Sequence, residues 1–449
     1  MQIKQWKDKP LAHFSYAVLS DEEHKIVVID PARDPQPYLD YAREQGATII
    51  GIIETHPHAD FISGHLELSH LTGAAIYTSS LAGATYPHAG FEEGQQINLG
   101  EITLTALNTP GHSPDSISIV LETGGKHHAL FSGDTLFVGD CGRPDLREEE
   151  TDSSRIHLAT AMYQSLRNKL LPLADEVLVY PAHGAGSLCG KALSDAPSST
   201  MGAEKKANWS LQPMSEEEFV DSLLKDQPFV PAYFPFAVKL NQQGAPPFEK
   251  AIRAVKILPG INKQTDTSFL KQELMIIDAR NEKIYKQGHL ENSVNIMEGL
   301  KFDTWLGSII QPGEAFHLAG ESTEQIKELV KRAAAIGYEE QINAAFTVAF
   351  GEYTEPLLDL ESFKKNQADF TIVDVRNEPE VTEKKIFATS ISIPLHELRW
   401  RVHELPTDKP MVVHCAGGYR SAIGSSLINS ILKYQVRVYD LGDSVKDFQ

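Results

Sequence analysis

The segment Thr55-His56-Pro57-His58-Ala59-Asp60-Phe61 places two imidazoles and a carboxylate within seven residues. That donor mix suits a metal ion such as zinc or ferrous iron. A histidine directly after the aspartate would help to hold a second metal, but Phe61 stands there and a phenyl ring ligates nothing. The pattern leans away from paired-metal hydrolysis and towards one metal with open coordination positions. Three further segments carry ligand-type residues: Thr109-Pro110-Gly111-His112-Ser113, Phe131-Ser132-Gly133-Asp134-Thr135 and Tyr180-Pro181-Ala182-His183-Gly184. Any one alone reads as a turn or a helix cap. Four in this order, each behind an apolar run, point to a metal centre.

A second chemistry lies near the C-terminus, in His414-Cys415-Ala416-Gly417-Gly418-Tyr419-Arg420. A cysteine between a strand and a helix N-terminus has its thiolate favoured by backbone N–H groups and by the helix dipole. The two glycines let the loop curl so that those amides face the sulfur. The same cradle of residues 416–420 would hold the anionic outer sulfur of a cysteine persulfide.

Strands must position these loops. Short β-branched runs at Lys25–Asp30, Thr48–Ile53, Ile102–Leu107 and Val177–Tyr180 read as strands, and Pro37–Gln45 and Ile156–Leu170 have helical spacing. From Ser194 to about Pro259 the chain becomes rich in proline, serine and charge, and reads as a connector with one helix around Ser215–Leu224. Two similar segments follow, Leu274–Glu282 and Phe370–Glu378, each trailed by a His-containing loop: Phe316-His317-Leu318-Ala319-Gly320 and Val413-His414-Cys415-Ala416-Gly417. Their constant offset of about one hundred residues reads as an internal duplication of a small α/β domain. Aligned on the histidines, the first copy has Leu318 where the second has Cys415, and a leucine carries no sulfur.

The chain has 449 residues, too many for one core. Its formal charge of −20 repels nucleic acid and anionic membrane, so neither is expected as a partner. No apolar run is long enough to cross a bilayer, and the first residues lack the core of a secretory signal. Three scattered cysteines argue for a reducing compartment, so a cytoplasmic location is expected. Symmetric homo-oligomers are common, and one is expected here on that ground alone.

The order HxHxD, PGH, GD, PAHG resembles the metallo-β-lactamase fold superfamily over about the first 240 residues. Gly133-Asp134-Thr135-Leu136-Phe137 with Gly142-Arg143-Pro144-Asp145-Leu146 resembles its persulfide dioxygenase branch. The resemblance implies an αββα sandwich in which His56, His112 and Asp134 hold one ferrous ion, with zinc as the alternative. His58, Asp60 and His183 match second-metal positions of hydrolase relatives and are expected to orient the ligands, His58 being the one that could instead complete the first shell. Arg143 either steers a substrate carboxylate or pairs with Asp145. Cys141 and Cys189 are expected to be inert; Cys189 is the better candidate of the two, on a glycine-rich loop six residues after His183. The other histidines of this region read as surface or packed residues.

The cysteine loop resembles that of the rhodaneses. Four residues separate Cys415 from Arg420, where cysteine phosphatases keep five, so the smaller sulfur-transfer loop is favoured. The whole chain thus resembles persulfide dioxygenase–sulfurtransferase fusions: residues 1–245 a dioxygenase domain with connector, 262–350 a degenerate rhodanese-like domain, 355–449 an active rhodanese domain with a parallel sheet. The implied activity is O₂-dependent oxidation of a low-molecular-weight thiol persulfide to sulfite, with Cys415 passing sulfur to sulfite to give thiosulfate. A glyoxalase II-like thioester hydrolase and a non-enzymatic sulfur carrier or sensor are the alternatives.

Overall fold

The computed structural model describes residues 1–146, 152–265, 267, 270–271 and 273–449. They form two units, residues 1–250 with 334–337, and residues 251–333 with 338–449. Among the described residues no helix is long and apolar enough to cross a membrane.

The first unit is built from two six-stranded sheets. One runs in the order Gln2–Asp8, His13–Ser20, Lys25–Ile29, Thr48–Ile53, Ala75–Thr78, Ala89–Gly90. The other runs Ser199–Thr200, Leu178–Pro181, Lys126–Gly133, Ile117–Thr123, Ile102–Asn108, Gln96–Leu99. Val27, Ile29 and Ile53 of the first meet Leu104, Ile119 and Phe131 of the second in a common core. Each outer face is covered by helices. Tyr38 and Tyr41 of the helix Gln36–Glu44 pack on Ile26 and Ile52. Ala159 and Met162 of the helix Asp152–Ser165 pack on Leu130 and Val179. The layers are therefore αββα, as expected.

Two parallel crossovers decide where the loops emerge. Strand Lys25–Ile29 pairs parallel with Thr48–Ile53, and Lys126–Gly133 pairs parallel with Leu178–Pro181, with a helix in each connection. Parallel pairing puts the C-terminal ends of both strands at one edge, where α/β folds present their ligands. The loops after Ile53, Gly133 and Pro181 carry His56, Asp134 and His183.

The segment expected to be a connector with one helix instead holds four: Met201–Ala207, Glu216–Leu224, Phe234–Gln243 and Phe248–Ala254. The helix Glu216–Leu224 starts with a reciprocal capping box between Ser215 and Glu218. Pro235 lies in the first turn of its helix, where the missing N–H costs nothing.

In the second unit two four-stranded parallel sheets repeat one strand order. They are Ser293–Asn295, Ile276–Asp278, Phe316–Gly320, Ile342–Thr347, and then Ile391–Ser392, Thr371–Asp374, Met411–His414, Val438–Asp440. The same topology twice supports the duplication. Its register corrects one alignment. Asp278 pairs with Ala319, whereas the equivalent Asp374 pairs with His414. Gly320, not Leu318, therefore occupies the place of Cys415; Leu318 is a buried strand residue. Matching the two histidines by type shifted the alignment, because the ladder and not the side chain sets equivalence. The first copy still lacks a nucleophile.

Each copy repeats one buried ion pair. Arg376 donates through Nε and Nη2 to Asp374 at 3.0 and 2.7 Å, and Arg280 donates to Asp278 at 2.9 and 2.6 Å. Removing one partner of such a pair strands a charge in the interior. Arg376→Met is expected to destabilise the second unit by about 3–5 kcal/mol, measured by urea titration.

Candidate metal centre and cysteine loop

His56, His112 and Asp134 converge, each offering one donor atom within 4.8 Å of the others, and all three are buried. His56 Nε2 lies 3.8 Å and His112 Nε2 3.5 Å from Asp134 Oδ2. That oxygen is buried and has no hydrogen-bond partner among the described residues. A desolvated carboxylate oxygen aimed between two imidazoles is costly unless a cation completes it.

The imidazoles are held so that Nε2 is the free lone pair. Thr55 Oγ1 donates to Asp30 Oδ2 at 2.8 Å, and with its proton engaged it accepts from His56 Nδ1 at 3.1 Å. Asp30 also accepts from the Thr55 backbone N–H at 2.7 Å. His112 Nδ1 donates to the Arg143 carbonyl at 2.8 Å. In both rings the outer hydrogen bond sets the tautomer that leaves Nε2 able to ligate. The backbone is shaped to match. Asp30 has φ +49°, a strained conformation for a residue with a Cβ, and Gly133 has φ +52°. A Cβ on Gly133 would stand 2.8 Å from Thr55 Oγ1, so only glycine lets the Asp134 loop approach the His56 loop.

His183 sits behind this trio. Its Nδ1 donates to Asp134 Oδ1 at 2.7 Å and its Nε2 lies 2.8 Å from Asp60 Oδ2. Burial opposes a charge on His183, but the Asp134 and Asp60 carboxylates on its two sides prevail and raise its pKa well above the usual histidine range. For Asp134, burial acts upward, yet His183, His112 and His56 together hold it well below the usual carboxylate range. His58 does not join the trio. Its Nε2 lies 3.2 Å from Asp30 Oδ1, and it clusters with Asp30 and Glu54.

Phe61 has a defined place. Its buried ring lies 3.8 Å from the His13 ring and 4.3 Å from that of His58, centroid to centroid. His13, read as a packed or surface histidine, is the packed kind; burial and the nearby His183 and His58 lower its pKa. Asp60, His183 and Cys189 make a second donor group. Cys189 is buried beside two carboxylates, and burial, Asp60 and Asp134 push its thiol up. Arg143 is buried and donates through Nε and Nη2 to Asp145 at 2.5 and 2.8 Å and through Nη1 to the Leu188 carbonyl. Of its two readings, this is the pairing with Asp145. Cys141 is buried, with its thiol pushed up by burial and by Asp140.

The sequence reading missed the residues that brace the His56–Phe61 loop from outside. Asn241, buried in the helix Phe234–Gln243, donates through Nδ2 to the carbonyls of His58 and Phe61, both at 2.8 Å. Its Oδ1 accepts from Ser63 N–H at 2.8 Å, and Tyr233 Oη donates to the Asp60 carbonyl at 2.9 Å. An asparagine on an apolar helix face was the one available signal.

Cys415 directly follows the strand Met411–His414, and the helix Tyr419–Leu432 begins four residues later. Gly418 N–H donates to Sγ at 3.1 Å, from a glycine at φ +97°. The thiol lies 3.7 Å from Ser421 Oγ, and Cys415 is only 2% exposed. Arg420, expected in the cradle, pairs instead with both oxygens of Glu380 at 2.6 and 2.7 Å. Tyr419 Oη donates to the Met297 carbonyl of the first copy at 2.8 Å.

Two predictions follow from the bracing. Thr55→Val should weaken metal binding about 10–100-fold in chelator competition, because His56 loses the group that orients it. Asn241→Leu should cost about 1–3 kcal/mol in thermal or urea unfolding, since it leaves one buried N–H and two carbonyls unpaired.

Residues 8–183 match the family model of the metallo-beta-lactamase superfamily, and residues 359–448 that of the rhodanese-like domain. Persulfide dioxygenase ETHE1 of Bos taurus is 30% identical over 243 residues, 54% of this chain and 87% of the relative. The Homo sapiens protein is 32% identical over 172 residues, 38% of this chain and 63% of its own length. A hydroxyacylglutathione hydrolase of Polaromonas sp. is 30% identical over 181 residues, 40% of this chain and 64% of that protein. A solved metallo-beta-lactamase structure from Staphylococcus aureus covers 77% of this chain and 99% of its own, at 32% identity and a TM-score of 0.70. With the αββα layers and the histidine–aspartate loops at one sheet edge, the chain belongs to the metallo-beta-lactamase superfamily and carries a C-terminal rhodanese-like domain.

Proposed function

We propose that the chain is a persulfide dioxygenase joined to a sulfurtransferase, with one ferrous ion held by His56, His112 and Asp134. The observation that carries this reading is the buried, unpartnered Asp134 Oδ2 facing two imidazole Nε2 atoms. Two histidines and one carboxylate leave coordination positions free, as an oxygenase requires. When bound, iron supplies electrons to O₂ and a template on which the persulfide sulfur and O₂ are brought together.

The protein's own groups set the conditions. His183, set between Asp134 and Asp60, engages Asp134 Oδ1 and leaves Oδ2 facing the two imidazoles. Asp60 backs His183, and His58 faces Asp30, which with Thr55 orients His56. Phe61 and His13 fill with rings the space where a further ligand would stand. The net reaction RSSH + O₂ + H₂O → RSH + SO₃²⁻ + 2H⁺ balances in atoms and charge.

In the second reaction the Cys415 thiolate attacks the outer sulfur of a persulfide, taking that sulfur and releasing the thiolate RS⁻. Sulfite then attacks the outer sulfur held on Cys415, giving thiosulfate and regenerating the thiolate. The Gly418 N–H at 3.1 Å supports the anionic sulfur. Tethering both reactions in one chain raises the effective concentration of sulfite for Cys415.

The hydrolase reading draws support from the Asp60, His183 and Cys189 donor group, where a second metal would have to sit. Metal counting on anaerobically purified protein separates the two: one iron per chain is expected, and two zinc ions would overturn the oxygenase. In an oxygen-electrode assay with a thiol persulfide, Cys415→Ser should keep O₂ uptake and shift the product from thiosulfate to sulfite. Loss of O₂ uptake in that variant would overturn the division of labour.

A further inference from the structure

The helix Thr323–Ala335 of the first copy finishes in the first unit: residues 334–337 belong there, while the chain on both sides of them belongs to the second. Its end is a glycine cap. Gly337, at φ +76°, donates its N–H to the Ala334 carbonyl at 3.0 Å, and Tyr338 N–H donates to the Ala333 carbonyl at 2.8 Å. Such a cap serves only some of the carbonyls that a helix leaves open at its C-terminus, and the rest need donors from elsewhere. The Ala335 carbonyl accepts from the N–H of Ile62 at 2.8 Å.

The position of Ile62 gives that bond its meaning. Ile62 follows Phe61, is fully buried, and stands two residues after Asp60, whose carboxylate backs His183. His183 in turn bonds Asp134 Oδ1. The next amide, Ser63 N–H, goes to Asn241 Oδ1. Two successive donors of the loop are therefore held by two different elements, the helix end at 335 and the helix Phe234–Gln243. A buried N–H left without such an acceptor is costly, and the negative end of a helix dipole suits a donor well. Packing is close as well. A Cβ on Gly337 would stand 2.8 Å from Leu240 Cδ2, 3.0 Å from Phe236 Cε1 and 3.2 Å from Ile62 Cγ1. Glycine is required there both by φ and by contact.

We propose that residues 334–337 are a positioning element of the metal site, and that the inactive copy serves the dioxygenase by supplying them. The Ala335 carbonyl fixes Ile62, and with it the line from Asp60 through His183 to Asp134 on which the metal-binding trio depends. The proposal rests on the assignment of the metal to His56, His112 and Asp134. A copy without a nucleophile can perform this task, because a helix end and a glycine are all it needs. Support of this kind is reciprocal: a segment that favours metal binding is itself favoured by the bound metal.

The test uses the full-length protein, metal-free and loaded with ferrous iron. Hydrogen–deuterium exchange read by mass spectrometry should slow on iron binding in peptides covering residues 60–63 and 333–338. Gly337→Ala should lower iron retention against a chelator by about tenfold. Gly313→Ala is the control: its φ of +81° imposes the same backbone strain, but an added Cβ there meets nothing within 4 Å among the described residues. Its iron retention should stay within about twofold of the unsubstituted protein. Leu240→Ala, added to Gly337→Ala, removes the nearest contact and should recover part of the loss. If Gly337→Ala does not fold, the exchange result decides alone. Unchanged exchange at 333–338 on metal binding overturns the proposal, as does equal loss of iron in Gly337→Ala and Gly313→Ala. Should the unsubstituted protein hold two zinc ions in place of one iron, the oxygenase reading falls, and the same comparisons made on zinc still decide the positioning role.

Discussion

The first unit is organised around a buried carboxylate that must stay charged. Asp134 lies in an interior where a lone anion is costly, and every polar neighbour answers that cost. His183 bonds one oxygen, and His56 and His112 face the other. Those groups then need support of their own. Asp60 backs His183, Asp30 and Thr55 back His56, and the Arg143 carbonyl fixes His112. A chain of outer partners of this kind is what keeps a metal site in shape without solvent. It also explains the strained turn at Asp30 and the glycine at 133, since both serve the approach of the His56 and Asp134 loops.

The second unit shows how a duplicated fold separates architecture from chemistry. Both copies keep the strand order and the buried Asp–Arg pair, which are properties of the sheet edge and of the first turn after it. Only one keeps a sulfur nucleophile, at a position that lies just past the ladder. The Gly418 amide donates the hydrogen bond to that sulfur, while the hydrogen bonds of Arg420 go to Glu380. Backbone donors hold their direction without side-chain entropy, so a compact loop can stabilise an anion with glycines alone.

Much of the site was legible in the sequence because ligands sit directly behind strands. His56, His112, Asp134 and His183 each follow a β-branched run, and the strands fall close to their expected places. Of the four helices between residues 201 and 254, only Glu216–Leu224 was legible; the other three are short, and the proline and serine around their starts read as loop. Residues such as Asn241 and Tyr233 carry no motif, because bracing a loop from another helix depends on contacts at a separation of well over a hundred residues. The match of Leu318 to Cys415 went astray for a related reason. Residue type aligned two histidines, while hydrogen-bond register placed Gly320 there.

By itself the sequence determined the donor types, their order along the chain, the phenyl ring at 61 and the single nucleophilic cysteine of the duplicated pair. These follow from covalent identity and local periodicity, which need no partner to be read. Only the tertiary structure decided which donors share a cavity. It turned His58 to Asp30, paired Arg143 with Asp145 and Arg420 with Glu380, and brought Cys189 beside Asp60 and His183. Each of those choices is made by which loops the parallel crossovers bring to one sheet edge, and by the demand that every charge buried there find a partner.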